Sequence, residues 1–288
     1  MIRFLLWNLN GKPLEKTVAN LARRHDVDVL ILVECKTPVR KMLEALNSGS
    51  MALFRLPFSP DIGRKTVVYT RFSEKFTKPV YEDGDRLVIW RLVLPIREDI
   101  LLAAVHFRSK LHQSDDSQAH GCIELANIIR RMESEHRIDR TVVVGDLNMN
   151  PFEAGMVSAV GFNATSTRHV AERNNRVVDG RQYPFFYNPM WQCLGDRKNG
   201  PPGTYYYGNA EHVCYFWNVF DQVLIRPALL DRFRSEELEI LTHDGENSLV
   251  SANGRPNHQT ASDHLPIIFA LDLEHGDRHV GVSAANQS

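Results

Sequence analysis

The stretch Thr141-Val-Val-Val-Gly-Asp-Leu-Asn-Met-Asn-Pro151 decides how the rest of the chain is read. Val142, Val143 and Val144 form an apolar, β-branched run suited to a strand buried on both faces. Gly145 is expected to end that run, and Asp146, Asn148 and Asn150 alternate beyond it. Pro151, followed by Glu153-Ala154, predicts a turn into a helix. Two readings of the polar residues stand side by side. A buried strand that delivers a carboxylate and a carboxamide at its end can place chemistry at the rim of a sheet. An Asx turn capping the next helix would be purely structural. The remainder of the chain weighs between them.

The chain has 288 residues, with 34 basic against 35 acidic side chains and 43% apolar residues. That apolar content suits a globular chain with a substantial core. Near-zero net charge excludes a uniformly cationic nucleic-acid coat protein and leaves room for a local basic groove. Cys35, Cys122, Cys193 and Cys214 are scattered without C-x-x-C spacing, which argues against a disulfide framework or a zinc site and favours a reducing compartment. The first apolar run is short and broken by Arg3, so no signal peptide is expected, and no stretch reaches the length of a membrane span. The sequon Asn163-Ala164-Thr165 carries no weight without a secretory signal. The expectation is a soluble, cytoplasmic protein with one domain over residues 1–274 and a flexible polar tail over 275–288.

Taken in order, Ile2 to Asn10 reads as a strand, followed after Pro13 by a helix with Leu14, Val18, Leu21 and Ala22 at helical spacing. Asp26 to Glu34 is a second buried strand ending in a carboxylate, and a second helix is predicted from Pro38 to Leu46. This opening favours an α/β architecture. Met51–Phe54, Lys65–Arg71, Arg86–Leu94 and Asp99–Phe107 then suggest an antiparallel meander, hence a mixed sheet system. Ser117 to His136 is an amphipathic helix, and it leads into the Asp146 strand. Residues 160–218 show little periodicity and many aromatics. Val219–Ile225 and Leu265–Leu273 are predicted to close the fold as strands.

Strand ends repeat the pattern of the opening stretch. Asn8, Glu34, His106, Asp146 with Asn148, and Asp263 with His264 stand at ends or mouths of strands, and Asp221 sits inside another. Any one of these has a bland explanation as a solvated end. Their repetition favours convergence on a shared site. Carboxylates gathered in a poorly solvated cleft repel one another, and a divalent cation resolves the conflict. Oxygen-rich ligands select Mg²⁺, or Mn²⁺ as a substitute, over zinc. Such an ion suits phosphoryl chemistry, and histidine adds a group that titrates near neutrality.

The segments Trp7-Asn-Leu-Asn-Gly11, Leu32-Val-Glu34, Val105-His-Phe107, Gly145-Asp-Leu-Asn148, Phe220-Asp-Gln-Val223 and Ser262-Asp-His-Leu-Pro266 occur in an order that resembles the endonuclease/exonuclease/phosphatase superfamily. The resemblance spans about residues 2–273. It implies a four-layered α/β sandwich, two mixed β-sheets packed face to face with helices outside. It further implies Glu34 as principal metal ligand, with Asn8 beside it and Asp263 contributing. His264 would contact the scissile phosphate with Asp221 orienting its ring. Asp146 would position or deprotonate the attacking water, and Asn148 and His106 would hold phosphate oxygens. Asn10 stands where some relatives carry Asp. Whether the general base is the histidine–aspartate pair or Asp146 stays open.

The implied activity is metal-dependent phosphoester hydrolysis, with DNA or RNA as the favoured substrate. The alternatives are an inositol phosphate, a sphingolipid or a non-catalytic phosphate-binding module. All of Glu34, Asp146, Asp263 and His264 are present, which speaks against the last. Arg108 and Lys110 are candidates to grip a flanking phosphate, or else belong to a solvated loop. The aromatics Tyr183, Phe185, Phe186, Tyr187, Trp191, Tyr205–Tyr207, Tyr215, Phe216 and Trp217, with Arg197 and Lys198, suit base stacking or packing beneath a long loop. Trp191 and Tyr206 are the rings singled out for nucleic-acid contact. No basic amphipathic helix or lipidation motif supports membrane insertion, and oligomeric state is not legible.

Overall fold

The computed structural model of the protein describes residues 1–49, 53–57, 65–84, 86–93, 99–110, 114–196, 200–210 and 212–273. The tail expected over 275–288, and the cations Arg197 and Lys198, lie outside the described residues. In chain order the strands are β1 (Ile2–Asn8), β2 (Val29–Val33), β3 (Thr66–Thr70), β4 (Thr77–Asp83), β5 (Leu87–Leu92), β6 (Ile100–His106), β7 (Thr141–Asp146) and β8 (Ala164–Thr165). They continue with β9 (Asn175–Val178), β10 (Arg181–Pro184), β11 (Phe186–Tyr187), β12 (Tyr205–Tyr207), β13 (Phe216–Asn218), β14 (Asp221–Ile225), β15 (Phe233–Ile240) and β16 (Ile267–Leu271). The helices are α1 (Glu15–Arg24), α2 (Val39–Asn47), α3 (Asp115–His136) and the single turns α4 (Ala154–Val157) and α5 (Arg168–Ala171).

Five strands form one sheet in the order β15-β16-β1-β2-β3, and seven form another in the order β4-β5-β6-β7-β14-β11-β8. Both are mixed: β1 runs parallel to β2 and β6 parallel to β7, while β16 and β14 join them antiparallel. Side-chain alternation sets the layers. Leu102 and Ala104 of β6, Val142 and Val144 of β7, and Val223 and Ile225 of β14 share a core with Phe4, Leu6, Val29 and Ile31, which lie on the face of the five-stranded sheet from which Asn8 reaches Asp146. Their neighbours Leu101, Ala103, Val143 and Leu224 face the other way, into a core built with Cys122, Leu125, Ala126, Ile129 and Met132 of α3. Val18 and Leu21 of α1 and Met42 and Leu46 of α2 join the first core from the outside of the five-stranded sheet. The result is the four-layered α/β sandwich that the resemblance implies.

Capping delimits the long helix. Ser114 caps α3 by accepting the Ser117 N–H at 3.3 Å, and Arg137 ends the helix in the left-handed region at φ 52°.

Several expectations need correction. Gly145 does not end the Val142–Val144 run. It pairs with Val105 and Gln222 within the seven-stranded sheet, and β7 continues to Asp146. A Cβ at Gly145 would lie 1.8 Å from the Val105 carbonyl oxygen, so close strand approach, rather than termination, requires glycine here. Of the Met51–Phe54 strand, 51 and 52 lie outside the described residues; Leu53 and Phe54 are not in a strand, and Arg55 makes only an isolated bridge to Thr70. Among the described residues eight strands escape the sequence pattern: the short β8–β13 within the aperiodic 160–218 region, and the longer β4 and β15. Both carry charged residues and both stand at a sheet edge, where one side of the backbone needs no partner strand and alternation is weakly constrained.

Candidate active site

Five strand ends meet at one end of the sandwich. The register of the seven-stranded sheet sets His106 opposite Asp146 and Asp146 opposite Asp221, so three functional side chains come from three adjacent strands. From the five-stranded sheet, β1 brings Asn8, and Glu34 follows directly after β2. The loop before β16 brings Asp263 and His264. Its placement is fixed by the Trp7 Nε1–H donating to the His264 carbonyl at 2.8 Å and the Ser262 hydroxyl donating to the Asn8 carbonyl at 2.6 Å.

Asp146 is buried, 1% exposed, and each of its oxygens accepts one hydrogen bond. Asn8 Nδ2 donates to its Oδ2 at 2.9 Å, and the Asn148 backbone N–H donates to its Oδ1 at 2.9 Å. Asn148 reaches this geometry with φ 50°, a left-handed conformation that asparagine tolerates better than most residues. Its Nδ2 donates to the Phe107 carbonyl at 2.9 Å. Burial pushes the Asp146 carboxyl above the usual range and Asp221 adds to the push, while His264, His106 and the Asn8 amide pull it back.

His264 Nδ1 lies 2.8 Å from Asp221 Oδ2, and both side chains are buried. Burial opposes protonation of this ring, but the charges of Asp221, Asp146 and Asp263 and the hydrogen bond to Asp221 outweigh it, raising His264 to about 10. The Tyr205 ring covers the imidazole at 4.7 Å and stacks on Phe220 at 5.3 Å. His106 Nε2 stands 3.4 Å from Glu34 Oε1.

These groups surround one cavity of about 610 Å³, lined by Asn8, Glu34, His106, Asp146, Asn148, Asp263 and His264. Asp221 lies behind His264, fully buried. Lys110 reaches the cavity rim but is ion-paired with Glu153. Arg108 is not brought to the site: it lines a different cavity, with Arg86, Asp116 and His120 beside the start of α3.

The chemistry of the donor set fits a hard cation. Three carboxylates, Glu34, Asp146 and Asp263, line the cavity, and among the described lining residues the one Lys or Arg is already neutralised by Glu153. Asp146, Asp221 and His264 also present ligand atoms within 4.8 Å of one another, and Asp221 Oδ1 is buried without a hydrogen-bond partner. The 2.8 Å between His264 and Asp221 is a hydrogen-bond length, so this trio is better suited to holding a proton than an ion. Glu34 shares the cavity lining with Asn8, Asn10 and Asp263, an oxygen-rich set whose chemistry fits a divalent cation.

Sequence reasoning missed Thr204, and it gave Trp7 and Tyr205 no part in positioning His264. Thr204 accepts the Leu265 N–H at 2.8 Å through its carbonyl and the Asp221 N–H at 3.2 Å through its hydroxyl, tying the two halves of the histidine–aspartate pair together. The aromatic region divides in a way that alternation could have foretold. Phe185 and Phe186 are buried, whereas Tyr205 and Tyr207 share one face of β12 and line the cavity. Tyr206, on the opposite face, packs against Trp217 and lies under Arg255 at 3.9 Å. Trp191 does not line the cavity either; it packs against Phe152 at 6.3 Å. Tyr207 and Tyr215, rather than Tyr206 and Trp191, are thus rings on the cavity lining.

The fold and the site together define a four-layered sandwich with one acid- and histidine-lined cleft at its strand ends. The chain belongs to the Endonuclease/Exonuclease/phosphatase family, whose sequence signature matches residues 5–264. Members of that family are hydrolases acting on phosphoester bonds. No curated protein matches the sequence. Among solved structures, the chain is similar to truncated TDP2 of Caenorhabditis elegans, at 16% identity and TM-score 0.56, covering 93% of this chain and 97% of that one. An AP endonuclease from Archaeoglobus fulgidus matches at 14% identity and TM-score 0.54, covering 94% and 100%. The endonuclease domain of TRAS1, a telomere-specific non-LTR retrotransposon, matches at 14% and 0.51, covering 96% and 100%. At these identities the likeness is one of fold.

Proposed function

We propose that this protein is a divalent-metal-dependent phosphodiesterase that hydrolyses nucleic-acid strands by in-line attack of water. The observation that carries the proposal is the junction of the buried His264–Asp221 pair, the buried Asp146 and the Glu34–His106 pair at one cleft. A bound Mg²⁺ would neutralise phosphate oxygens and the leaving oxyanion, with Glu34 as its principal ligand and Asn8 and Asp263 beside it.

The remaining work falls to the chain itself. Asp221 occupies His264 Nδ1, which leaves Nε2 to donate to a phosphate oxygen from a ring held in its cationic form. Asp146, oriented by Asn8 and by the Asn148 backbone, is placed to hold the attacking water and to accept its proton. His106 and Asn148 line the cavity where negative charge builds on the phosphoryl oxygens. Support for a nucleic-acid substrate comes from the neighbours. One is TDP2 of D. rerio in complex with a single-strand DNA product, which is similar to this chain at 16% identity and TM-score 0.53. Cys35, Cys122, Cys193 and Cys214 form no disulfide with one another, which suits a reducing, cytoplasmic setting. Among the described residues no helix is long and apolar enough to cross a membrane.

Replacing His264 or Asp146 with Ala is expected to lower oligonucleotide hydrolysis in Mg²⁺ by about 10²–10⁴-fold while leaving the circular dichroism spectrum unchanged. A folded double variant with full activity would overturn the assignment.

A further inference from the structure

One wall of the cavity carries features that hydrolysis does not use. Tyr207, Val213 and Tyr215 line it although 47%, 72% and 56% of their surfaces are exposed. Exposed apolar groups on the lining of a polar cleft are open to contact with a ligand. The Tyr215 ring rests edge-on against Phe152 at 5.3 Å, which holds it in the wall.

The backbone here is strained. Phe216 has φ 60°, and the Trp217 N–H donates to the Tyr215 carbonyl at 2.7 Å, closing a γ-turn around Phe216. A bulky aromatic residue rarely occupies the left-handed region, and this form of γ-turn is rare. Strain of this kind gathers at ligand clamps, where the surroundings hold it in place.

Charge decides what the wall receives. Lys110, paired with Glu153, is the one Lys or Arg among the described lining residues. A polyphosphorylated sugar calls for several cations, and a closed duplex calls for a cationic track along its backbone. A flat ring beside a single phosphate needs neither. Aromatic faces stack on any base, and the carboxamides of Asn10 and Asn209 on the same lining suit the polar edges of a base.

We propose that Tyr207 and Tyr215 form a stacking subsite for one unpaired nucleobase adjoining the scissile phosphate, so that the cleft prefers single-stranded or frayed ends to closed duplex. The inference rests on the nuclease reading for its chemistry, but its binding component is separately measurable.

The test uses the full chain carrying His264→Ala and fluorescence anisotropy in Mg²⁺. The probes are a single-stranded oligonucleotide, the same strand with abasic sites in place of its bases, and a closed duplex. Cleavage by the His264-containing protein is followed in parallel. The base-bearing single strand should bind best, and Tyr207→Ala or Tyr215→Ala should each weaken it about tenfold while Tyr→Phe at either position does not. Cleavage should show the same losses in KM with kcat nearly unchanged. Equal affinity for base-bearing and abasic strands, or affinity unmoved by both Ala variants, would overturn the subsite even if cleavage is robust. Ring-dependent binding without any cleavage would uphold the subsite and sink the hydrolytic reading alone.

Discussion

Replacing Asp221 with Asn removes one charge from behind His264 and leaves the shape of the site nearly unchanged. Asp221 is fully buried, and its Oδ2 lies 2.8 Å from His264 Nδ1. In the native site burial works against the imidazolium, yet Asp221, Asp146 and Asp263 together raise it to about 10 from the ordinary value near 6.5. At about 1.4 kcal/mol per pH unit, that gap represents about 5 kcal/mol in favour of the charged ring, shared among the three carboxylates. With the nearest one neutralised, burial is opposed only by Asp146 and Asp263, and His264 is expected to titrate well below its native value. A ring returned to the ordinary value near 6.5 would be about 3% cationic at pH 8, so activity that needs an imidazolium should fall by up to about thirtyfold at pH 8 and much less at pH 6. The linked stability follows the same sign. A raised histidine contributes fully below pH 6.5 and loses its contribution as pH rises through about 10. Imidazole NMR titration of native and Asp221→Asn proteins in EDTA, paired with pH–rate profiles in Mg²⁺, reads both effects. A native His264 that titrates near 6.5, or a variant that still titrates near 10, would refute the reasoning.

Two further substitutions test the scaffold. Gly145→Ala places a methyl group 1.8 Å from the Val105 carbonyl oxygen and must part β6 from β7, so thermal or urea unfolding should show a loss of about 3 kcal/mol or more, with activity falling as His106 moves away from Asp146. Arg226→Met breaks a bidentate pair with Glu133 (2.8 and 3.0 Å) and removes the donor to the Phe185 carbonyl, leaving a carboxylate uncompensated in a nearly buried place. Urea unfolding should register a cost of about 3–5 kcal/mol, with the kcat of the folded protein little changed; a cost under 1 kcal/mol would contradict this view of the pair.

What could be read in the sequence tracks how strongly each element is constrained. Strands β1, β2, β6, β7 and β14 are buried on both faces, so their apolar runs are continuous and their polar ends stand out, which is why Asn8, Glu34, His106, Asp146 and Asp263-His264 were legible as strand-end groups. Asp221 was visible as a carboxylate inside an apolar run. Edge strands β4 and β15 carry too weak a pattern, and the two-residue strands β8 and β11 are too short to have one. Arg108 and Lys110 sit two residues apart yet end at different cavities, because the segment after β6 is irregular and Glu153 captures Lys110. That partner is 43 residues away in sequence, a distance no local pattern spans. The division of Tyr205, Tyr206 and Tyr207 between cleft and scaffold was available from period-two alternation, but only once residues 205–207 are known to be a strand.

The central claim is metal-dependent hydrolysis of a nucleic-acid phosphodiester in this cleft. It is tested most directly by incubating the protein with plasmid DNA, single-stranded and abasic oligonucleotides, RNA, an inositol polyphosphate and sphingomyelin, in Mg²⁺, in Mn²⁺ and in EDTA, with His264→Ala alongside. The account predicts cleavage of nucleic acid, strongest for single strands, that disappears in EDTA and in the variant. Cleavage undiminished by EDTA, or turnover of the inositol phosphate or sphingomyelin alone, would contradict it.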